Sequence, residues 1–441
     1  MLLLRGNINL DAVIEGIKER KIQGTINVPG DKSITHRAVI LTSIAHGVSQ
    51  INNFSEGLDC KSTMRCMQAM GIQIKRVGDT IIKINGKGFK GLNKPQDILN
   101  VGNSGTTIRL LSGLLSGQSF HSILDGDDSI RKRPMKRIIE PLSLMNATIK
   151  GLFHDNFAPL SILGKPLKGI DYTLPIASAQ VKSAILLAGL YALGDTIIRE
   201  PECTRDHTER MLALMHADIQ SFPEQKILLK PGKELKAINI DIPGDISSAA
   251  YFLALGCTSK DTELTIKNVG INPTRIAFIN LLKKMGAELF FLNKDCLSNE
   301  PRADIKVKGN RLLKGIHIEG KVIPNIIDEL PLVAVIATQA QGKTVVSNAQ
   351  ELRVKETDRI RAIVEGLSRM GAKIVEKPDG FEIFGTTELS GNIVDSYNDH
   401  RIAMSLAIAA SFAKGKTVIR EFQCVDISFP GFIKNYYDII K

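Results

Sequence analysis

The chain has 441 residues and carries 57 Lys and Arg against 46 Asp and Glu, a net charge of +11 with histidine neutral. Single cores stop growing near ~250–300 residues, so two domains, or three, are expected. Apolar content and charge fraction are ordinary for a soluble globular protein. The apolar run Met1–Leu4 is too short for a membrane span or a signal-peptide core. No later window offers a long uncharged stretch, so a cytoplasmic protein with no membrane association is expected. The six cysteines (Cys60, Cys66, Cys203, Cys257, Cys296 and Cys424) are dispersed, with no Cys-x-x-Cys pair. That argues for reduced, mostly buried thiols, and neither they nor the histidines show metal-ligand spacing. The positive charge suits either nucleic acid or a cleft for anionic metabolites. No basic block exceeds a few residues and tryptophan is absent. An aromatic stacking platform is therefore poorly supported, and the metabolite reading is favoured.

In chain order, one pattern recurs six times: a short polar turn, then a helix of small and apolar residues that stops at or before Gly. The copies are GDKSITHR (30–37) with a helix over 38–47, GNSGTT (102–107) with 108–117, and IASAQVKS (176–183) with 184–194. They continue with GDISS (244–248) and 249–256, IIDEL (326–330) and 331–342, and NDHR (398–401) and 402–415. A second, amphipathic helix alternates with these over 60–71, 133–147, 206–217, 272–287 and 357–372. Each ends near Met-Gly or Met-Asn/His, where a left-handed cap fits. In place of a sixth copy stands 428–440, as though the last unit were cut short. β-Branched pieces such as 80–84 and 417–422 lie between the helices. Each unit thus reads as strand, buried helix, strand, amphipathic helix and one or two strands. The first helix has little polar face, which predicts that protein surrounds it.

Each buried helix follows its polar turn directly, so its free backbone N–H groups point at whatever the turn holds, and helix N-termini favour anions. Three such ends per domain would make a cleft into an anion site. Lys32, Arg37, Arg109, Lys182, Asp328, His400 and Arg401 sit in these turns; singly each could be a solvated cap, but they recur at one topological position. GNSGTT lacks the lysine of a P-loop and does not fit the dinucleotide fingerprint, so NTP hydrolysis and NAD binding lack support. Arg133 and Arg359 stand near the starts of second-type helices, placed to fork onto a carboxylate or phosphate or to bridge on the surface. Acid/base candidates are Asp328, Glu356 and Lys32. Asp328 lies in an apolar stretch (Ile326, Ile327, Leu330, Leu332), where desolvation can raise a carboxyl pKa. A helix N-cap is the alternative for it, and the two are compatible.

GDKSITHR, NVGNSGTTIRLL (100–111), DSIRKRPM (128–135), PIASAQVKSAILLAG (175–189), GDISSAAYFLA (244–254), RVKETDRI (353–360) and NDHRIAM (398–404) closely resemble the 5-enolpyruvylshikimate-3-phosphate synthases. The resemblance runs from about residue 20 to the C-terminus with all motifs in family order, and residues 1 to about 16 have no counterpart. It implies an α/β fold of two similar domains, each of three βαβαββ units, an inside-out α/β barrel with a sixfold pseudo-repeat. Residues 1–30 with 244–441 would form one discontinuous domain, and 31–243 an inserted one. It implies transfer of the enolpyruvyl group of phosphoenolpyruvate to the 5-hydroxyl of shikimate 3-phosphate, with domain closure and no cofactor or metal. A monomer with small-molecule substrates and no nucleic-acid partner is expected.

Carried over by resemblance, Lys32, Ser33 and Arg37 contact shikimate 3-phosphate, and Ser178, Ala179, Gln180 and Thr204 hold its phosphate and surroundings. Asp328 and Lys355 also match acceptor-binding positions. Asn103, Gly105, Thr106, Arg133, Arg359 and Arg401 match the phosphoenolpyruvate pocket, with Lys32 and Gln180 shared and His400 beside it. Asp328 is expected to act as base toward the hydroxyl, and Lys32 or Glu356 as the acid at C3. Ala179, Thr204, Glu351 and Ile427 replace serine, serine, asparagine and lysine of the better-known branch, and the last change removes a phosphate contact. The related family that uses UDP-N-acetylglucosamine carries an early Lys-Asn pair and a loop cysteine. Here the pair is Lys32-Ser33, and no cysteine lies between Cys66 and Cys203. An RNA 3′-phosphate cyclase would need a nucleotide-linked histidine and ATP, and a basic nucleic-acid binder would show steep salt dependence.

Overall fold

The computed structural model describes residues 4–6, 9–17, 21–309 and 312–440. Most of the apolar run at the start, residues 1–3, lies outside them. The chain divides into two compact units. An inserted unit comprises residues 30–243 and 296–300; a terminal unit comprises 1–29, 244–295 and 301–441. Each is built around its own apolar core. Among the described residues no single helix is long and apolar enough to cross a membrane.

The inserted unit carries helices α1 (Lys32–Ser43), α2 (Leu58–Ala69), α3 (Gly105–Ser116), α4 (Lys136–Leu144), α5 (Ala179–Gly189) and α6 (His207–Leu214). The terminal unit carries α7 (Ile246–Thr258), α8 (Ala277–Lys284), α9 (Leu330–Gln339), α10 (Arg359–Arg369), α11 (His400–Ser411) and α12 (Phe432–Asp438). The odd-numbered helices of the first unit and α7, α9 and α11 are buried almost all round, as their composition predicts. The amphipathic helices α2, α4, α6, α8 and α10 end as expected: Gly71, Asn146, His216, Gly286 and Gly371 all take positive φ just beyond them.

The buried helices begin earlier than the turn-then-helix reading places them. Helix α1 starts at Lys32 and not at 38, so most of the polar turn is its first turn. The cause is a capping side chain in that turn. Asp31 accepts from the Ile34 N–H, Ser104 from Thr107, Ser178 from Val181, Asp245 from Ser247, and Asp399 from Arg401 and Ile402. Helix α9 differs, because Glu329 precedes it without a side-chain cap bond. Asp328 therefore does not serve as its N-cap.

Six four-stranded sheets accompany these helices, three formed from strands of each unit. In each, the first strand runs parallel to the second, and the third and fourth follow antiparallel. One example is Asn239–Asp241, His46–Asn52, Ile81–Lys87 and Gln73–Gly78. The last sheet has an unexpected composition. Ile393–Asp395 and Lys416–Arg420 are its first two strands, and the other two are Asn9–Glu15 and Leu4–Gly6 from the start of the chain. The unit that reads as cut short is thus completed by an N-terminal hairpin. Leu10 donates its N–H to Gln423 Oε1 at 3.2 Å, and Glu421 donates to Asp11 Oδ1 at 3.0 Å, pinning that register.

Ile14, on this hairpin, is fully buried in the terminal core. Ile14→Ala should destabilise the terminal unit by about 2–5 kcal/mol, the usual cost of truncating a buried aliphatic side chain. Chemical denaturation measures it, and an unchanged midpoint would mean the hairpin does not belong to the cooperative fold.

Candidate functional site

In the inserted unit the heads of α1, α3 and α5 carry the expected polar residues. Glycine lets α3 approach α5 closely: an added Cβ at Gly113 would sit 2.1 Å from the Ala184 carbonyl oxygen. At that spacing Arg109 of α3 reaches Gln180 of α5, donating from Nη1 to Oε1 at 2.6 Å, and Gln180 Nε2 donates back to Thr106 Oγ1 at 3.1 Å. Arg133 Nη2 donates to Asn103 Oδ1 at 2.9 Å and Ser129 Oγ at 3.0 Å. Asn103 Nδ2 in turn donates to Asp127 at 2.9 Å. Both guanidinium groups close on Gly105, where a Cβ would lie 2.9 Å from Arg133 and 3.0 Å from Arg109. Asn103, Gly105, Thr106, Arg133 and Gln180, separate in sequence, thus meet at one helix end.

Beside them, Lys32 Nζ lies 3.0 Å from Asp59 Oδ2. Arg37 is not in the turn; it is buried inside α1, donating to Thr208 Oγ1 (2.6 Å), Ser183 Oγ (2.7 Å) and the Ser33 carbonyl (2.9 Å). Desolvation pulls its pKa down to about 10. Ser178 caps α5, Ala179 begins it, and Thr204 donates its hydroxyl to Glu200. A buried relay joins α1 to the α3 cap: His36 Nδ1 to Thr63, Thr63 to Thr107, and Thr107 to Ser104, each 2.7 Å. Burial, with Lys32 and Arg37 close by, holds His36 well below its ordinary pKa, so it is neutral.

In the terminal unit Arg359, the first residue of α10, is 2% exposed and surrounded by carboxylates. Its Nη2 lies 2.6 Å from Glu356 Oε2, its Nε 2.8 Å from Asp399 Oδ2 and its Nη1 3.3 Å from Asp328 Oδ1. Burial alone would lower its pKa, but Asp399, Glu356 and Asp328 raise it. Asp399 also caps α11 through its other oxygen, 2.8 Å from the Arg401 N–H, so one carboxylate fixes both Arg359 and the head of α11. His400 and Arg401 open that helix and are buried. Arg401 lies 3.7 Å from Glu329 and its charge acts on the Tyr251 hydroxyl, whose pKa burial pushes up to about 12. Lys355 sits near Asp328, Glu351 and Glu356; desolvation outweighs these carboxylates and lowers its pKa.

The turns thus place Lys32, Asn103, Gly105, Thr106, Arg133 and Gln180 at helix heads of the inserted unit, and Asp328, Lys355, Glu356, Arg359, His400 and Arg401 in the terminal unit. Lys182 departs from the expectation of a turn residue facing an anion: it is buried and ion-paired to Glu200 and Glu209. Asp59, Arg205 and Asp399 were not anticipated. Arg205 points Nη1 toward Ser33 Oγ at 3.4 Å. Asp399, just before His400, carries an N-cap signal in NDHR, whereas the pairing of Asp59 with Lys32 has no sequence signal. Four cysteines are buried, and Cys203 and Cys296 are exposed.

This architecture is that of the solved enolpyruvyl transferases. The EPSP synthase of Acinetobacter baumannii matches with a TM-score of 0.86 at 42% identity, over 98% of this chain and 99% of that one. The enolpyruvyl transferase NikO of Streptomyces tendae, at 15% identity and a TM-score of 0.79, shares the fold. The model of the EPSP synthase (3-phosphoshikimate 1-carboxyvinyltransferase) family matches residues 17–436, and the chain belongs to that family. A 3-phosphoshikimate 1-carboxyvinyltransferase of Thermoanaerobacter sp. (strain X514) is 52% identical over 423 residues, 96% of this chain and 99% of the relative. One of Citrifermentans bemidjiense is 49% identical over 422 residues, 96% of this chain and 98% of the relative.

Because its pKa is lowered, Lys355 should be neutral at a lower pH than an ordinary lysine, whose pKa is ~10.4. Its acetylation by acetic anhydride, followed by mass spectrometry, should plateau at a lower pH than that of a free lysine side chain in a reference peptide. Coincident plateaus would contradict the desolvated site.

Proposed function

We propose that the chain transfers the enolpyruvyl group of phosphoenolpyruvate to the 5-hydroxyl of shikimate 3-phosphate and releases phosphate, the step of the shikimate pathway its family performs. The observation that carries this is the Arg359 cluster, where one buried guanidinium orders Asp328 and Glu356 beside Lys355. The acceptor hydroxyl adds to C2 of phosphoenolpyruvate while C3 gains a proton, giving a tetrahedral ketal phosphate. Phosphate then leaves as C3 loses a proton. Asp328 takes the hydroxyl proton, and Lys32 or Glu356 delivers the proton at C3. A substrate carboxylate arriving at Arg359 competes for its charge, which makes Asp328 and Glu356 more basic at the moment a base is needed. Arg133, with Asn103 and the head of α3, binds phosphoenolpyruvate, while Ser33 and Arg37 contact the acceptor and Ser178 and Thr204 hold its phosphate and surroundings. Preorganised donors of this kind usually supply the largest share of rate enhancement.

We take the two units to be two copies of a threefold βαβαββ arrangement, an inside-out barrel. All of the candidate site residues come from one chain, which supports a monomer, and neither substrate requires a membrane or a nucleic acid. A cytoplasmic setting fits both substrates. The direct test is phosphate release from phosphoenolpyruvate with and without shikimate 3-phosphate. Release that does not depend on the acceptor would overturn the reading.

Asp328→Ala should bind both substrates but lose about 10²–10⁴-fold in kcat, the scale of a lost general base; near-normal turnover would remove Asp328 from the chemistry. Gly105→Ala should raise the KM for phosphoenolpyruvate and weaken inhibition by glyphosate, because the new methyl group displaces Arg133 and Arg109. An unchanged inhibition constant would place the inhibitor elsewhere.

A further inference from the structure

Below Thr204 and Arg37 lies a layer of buried charge that the reaction as described does not use. Lys182, on the first turn of α5, is 1% exposed, and its Nζ lies 2.8 Å from Glu200 Oε2 and 2.6 Å from Glu209 Oε1. Both glutamates are buried too. Burial of this depth ordinarily strips a lysine of its proton, but Glu209 and Glu200 outweigh desolvation and raise its pKa. Each glutamate then acts on a different group above it. Glu200 accepts a hydrogen bond from the Thr204 hydroxyl, which fixes the direction of that hydroxyl. Glu209 is the strongest Coulombic support for charged Arg37. Geometry reinforces the link, since Ser183 and Thr208, which hold the Arg37 guanidinium, are the chain neighbours of Lys182 and Glu209. They also bond each other at 2.7 Å.

The four charges of Lys182, Arg37, Glu200 and Glu209 sum to zero. Packing alone would be served by an apolar side chain in place of Lys182, at no desolvation cost. A buried cation between two carboxylates, each tied to a different substrate-facing group, has a more specific consequence. We propose that Lys182 is a positioning residue for the acceptor: it sets affinity for shikimate 3-phosphate without touching it. It fixes Glu200 against Thr204 and Glu209 near Arg37, and it cancels the negative charge that would otherwise lie close to the ligand. The proposal rests on the reading that Thr204 and Arg37 contact the acceptor. The Arg133–Asn103–Gly105 cluster shares no hydrogen bond with Lys182, so phosphoenolpyruvate should not sense the change.

The test uses the full-length protein and three measurements: shikimate 3-phosphate affinity by calorimetry, the separate KM of each substrate, and thermal midpoint. Lys182→Met should raise the Kd and KM for shikimate 3-phosphate about tenfold to a hundredfold, the scale of an ångström-level misplacement of a binding group. The KM for phosphoenolpyruvate should stay within about threefold, well below that range. Lys182→Met leaves two glutamates without their cation and could fail to fold. The double variant Lys182→Met with Glu200→Gln restores net zero charge and should recover part of the acceptor affinity lost in the single variant. Where the single variant does not fold, the double variant carries the test: its acceptor KM should still exceed that of the wild type while the phosphoenolpyruvate KM does not. Equal rises in both KM values, or a lowered midpoint with both KM values unchanged, would overturn the proposal and leave Lys182 a purely structural residue. Wild-type protein that fails to bind shikimate 3-phosphate in the same titration would instead overturn the functional reading beneath it.

Discussion

A helix surrounded by apolar core leaves its first backbone N–H groups with no water to satisfy them, and much of this structure is arranged around that constraint. Five of the six buried helices meet it with a side chain at the head: Asp31, Ser104, Ser178, Asp245 or Asp399. Each cap satisfies one or two amides. The amides left over still need a partner, and an anion supplies one with help from the helix dipole. Residues that cap the buried helices and the candidate site residues are therefore neighbours in the chain, often one position apart, as with Asp31 and Lys32, Ser104 and Gly105, or Asp399 and His400.

The two units handle charge differently once the helix heads are in place. In the inserted unit, neutral amides and a hydroxyl orient Arg109 and Arg133 at hydrogen-bond distance. In the terminal unit, Arg359 is held by three carboxylates, an arrangement with excess negative charge around one cation. The first arrangement fixes the direction of each guanidinium through neutral partners. The second gathers Asp328, Glu356 and Asp399 around one buried cation and orders them.

Chain connectivity adds a second layer of dependence. The sixth four-stranded sheet is finished by residues 4–6 and 9–15, so the last helix–strand pair of the chain is stabilised by its first strands. The α11 head, with His400 and Arg401, belongs to that same element group. The start of the chain thus contributes to the site indirectly, through the packing of Ile14 in the terminal core.

Periodicity and composition alone reveal the alternation of six buried and five amphipathic helices, the left-handed ends at Gly71, Asn146, His216, Gly286 and Gly371, and the burial of every second helix, because each depends on interactions within a few residues. The motif turns likewise marked nearly all the groups that the structure gathers at the helix heads. Sequence reading placed the helix starts too late because it took capping Ser and Asp, with the residues after them, for loop. Only tertiary structure paired Lys32 with Asp59, sent Lys182 down to Glu200 and Glu209, wrapped Arg359 in Asp328, Glu356 and Asp399, and joined the first strands to the last sheet. These contacts span from 3 to more than 400 positions of chain, and their energy depends on distance and burial in space, for which neither spacing nor residue type in the sequence leaves a trace.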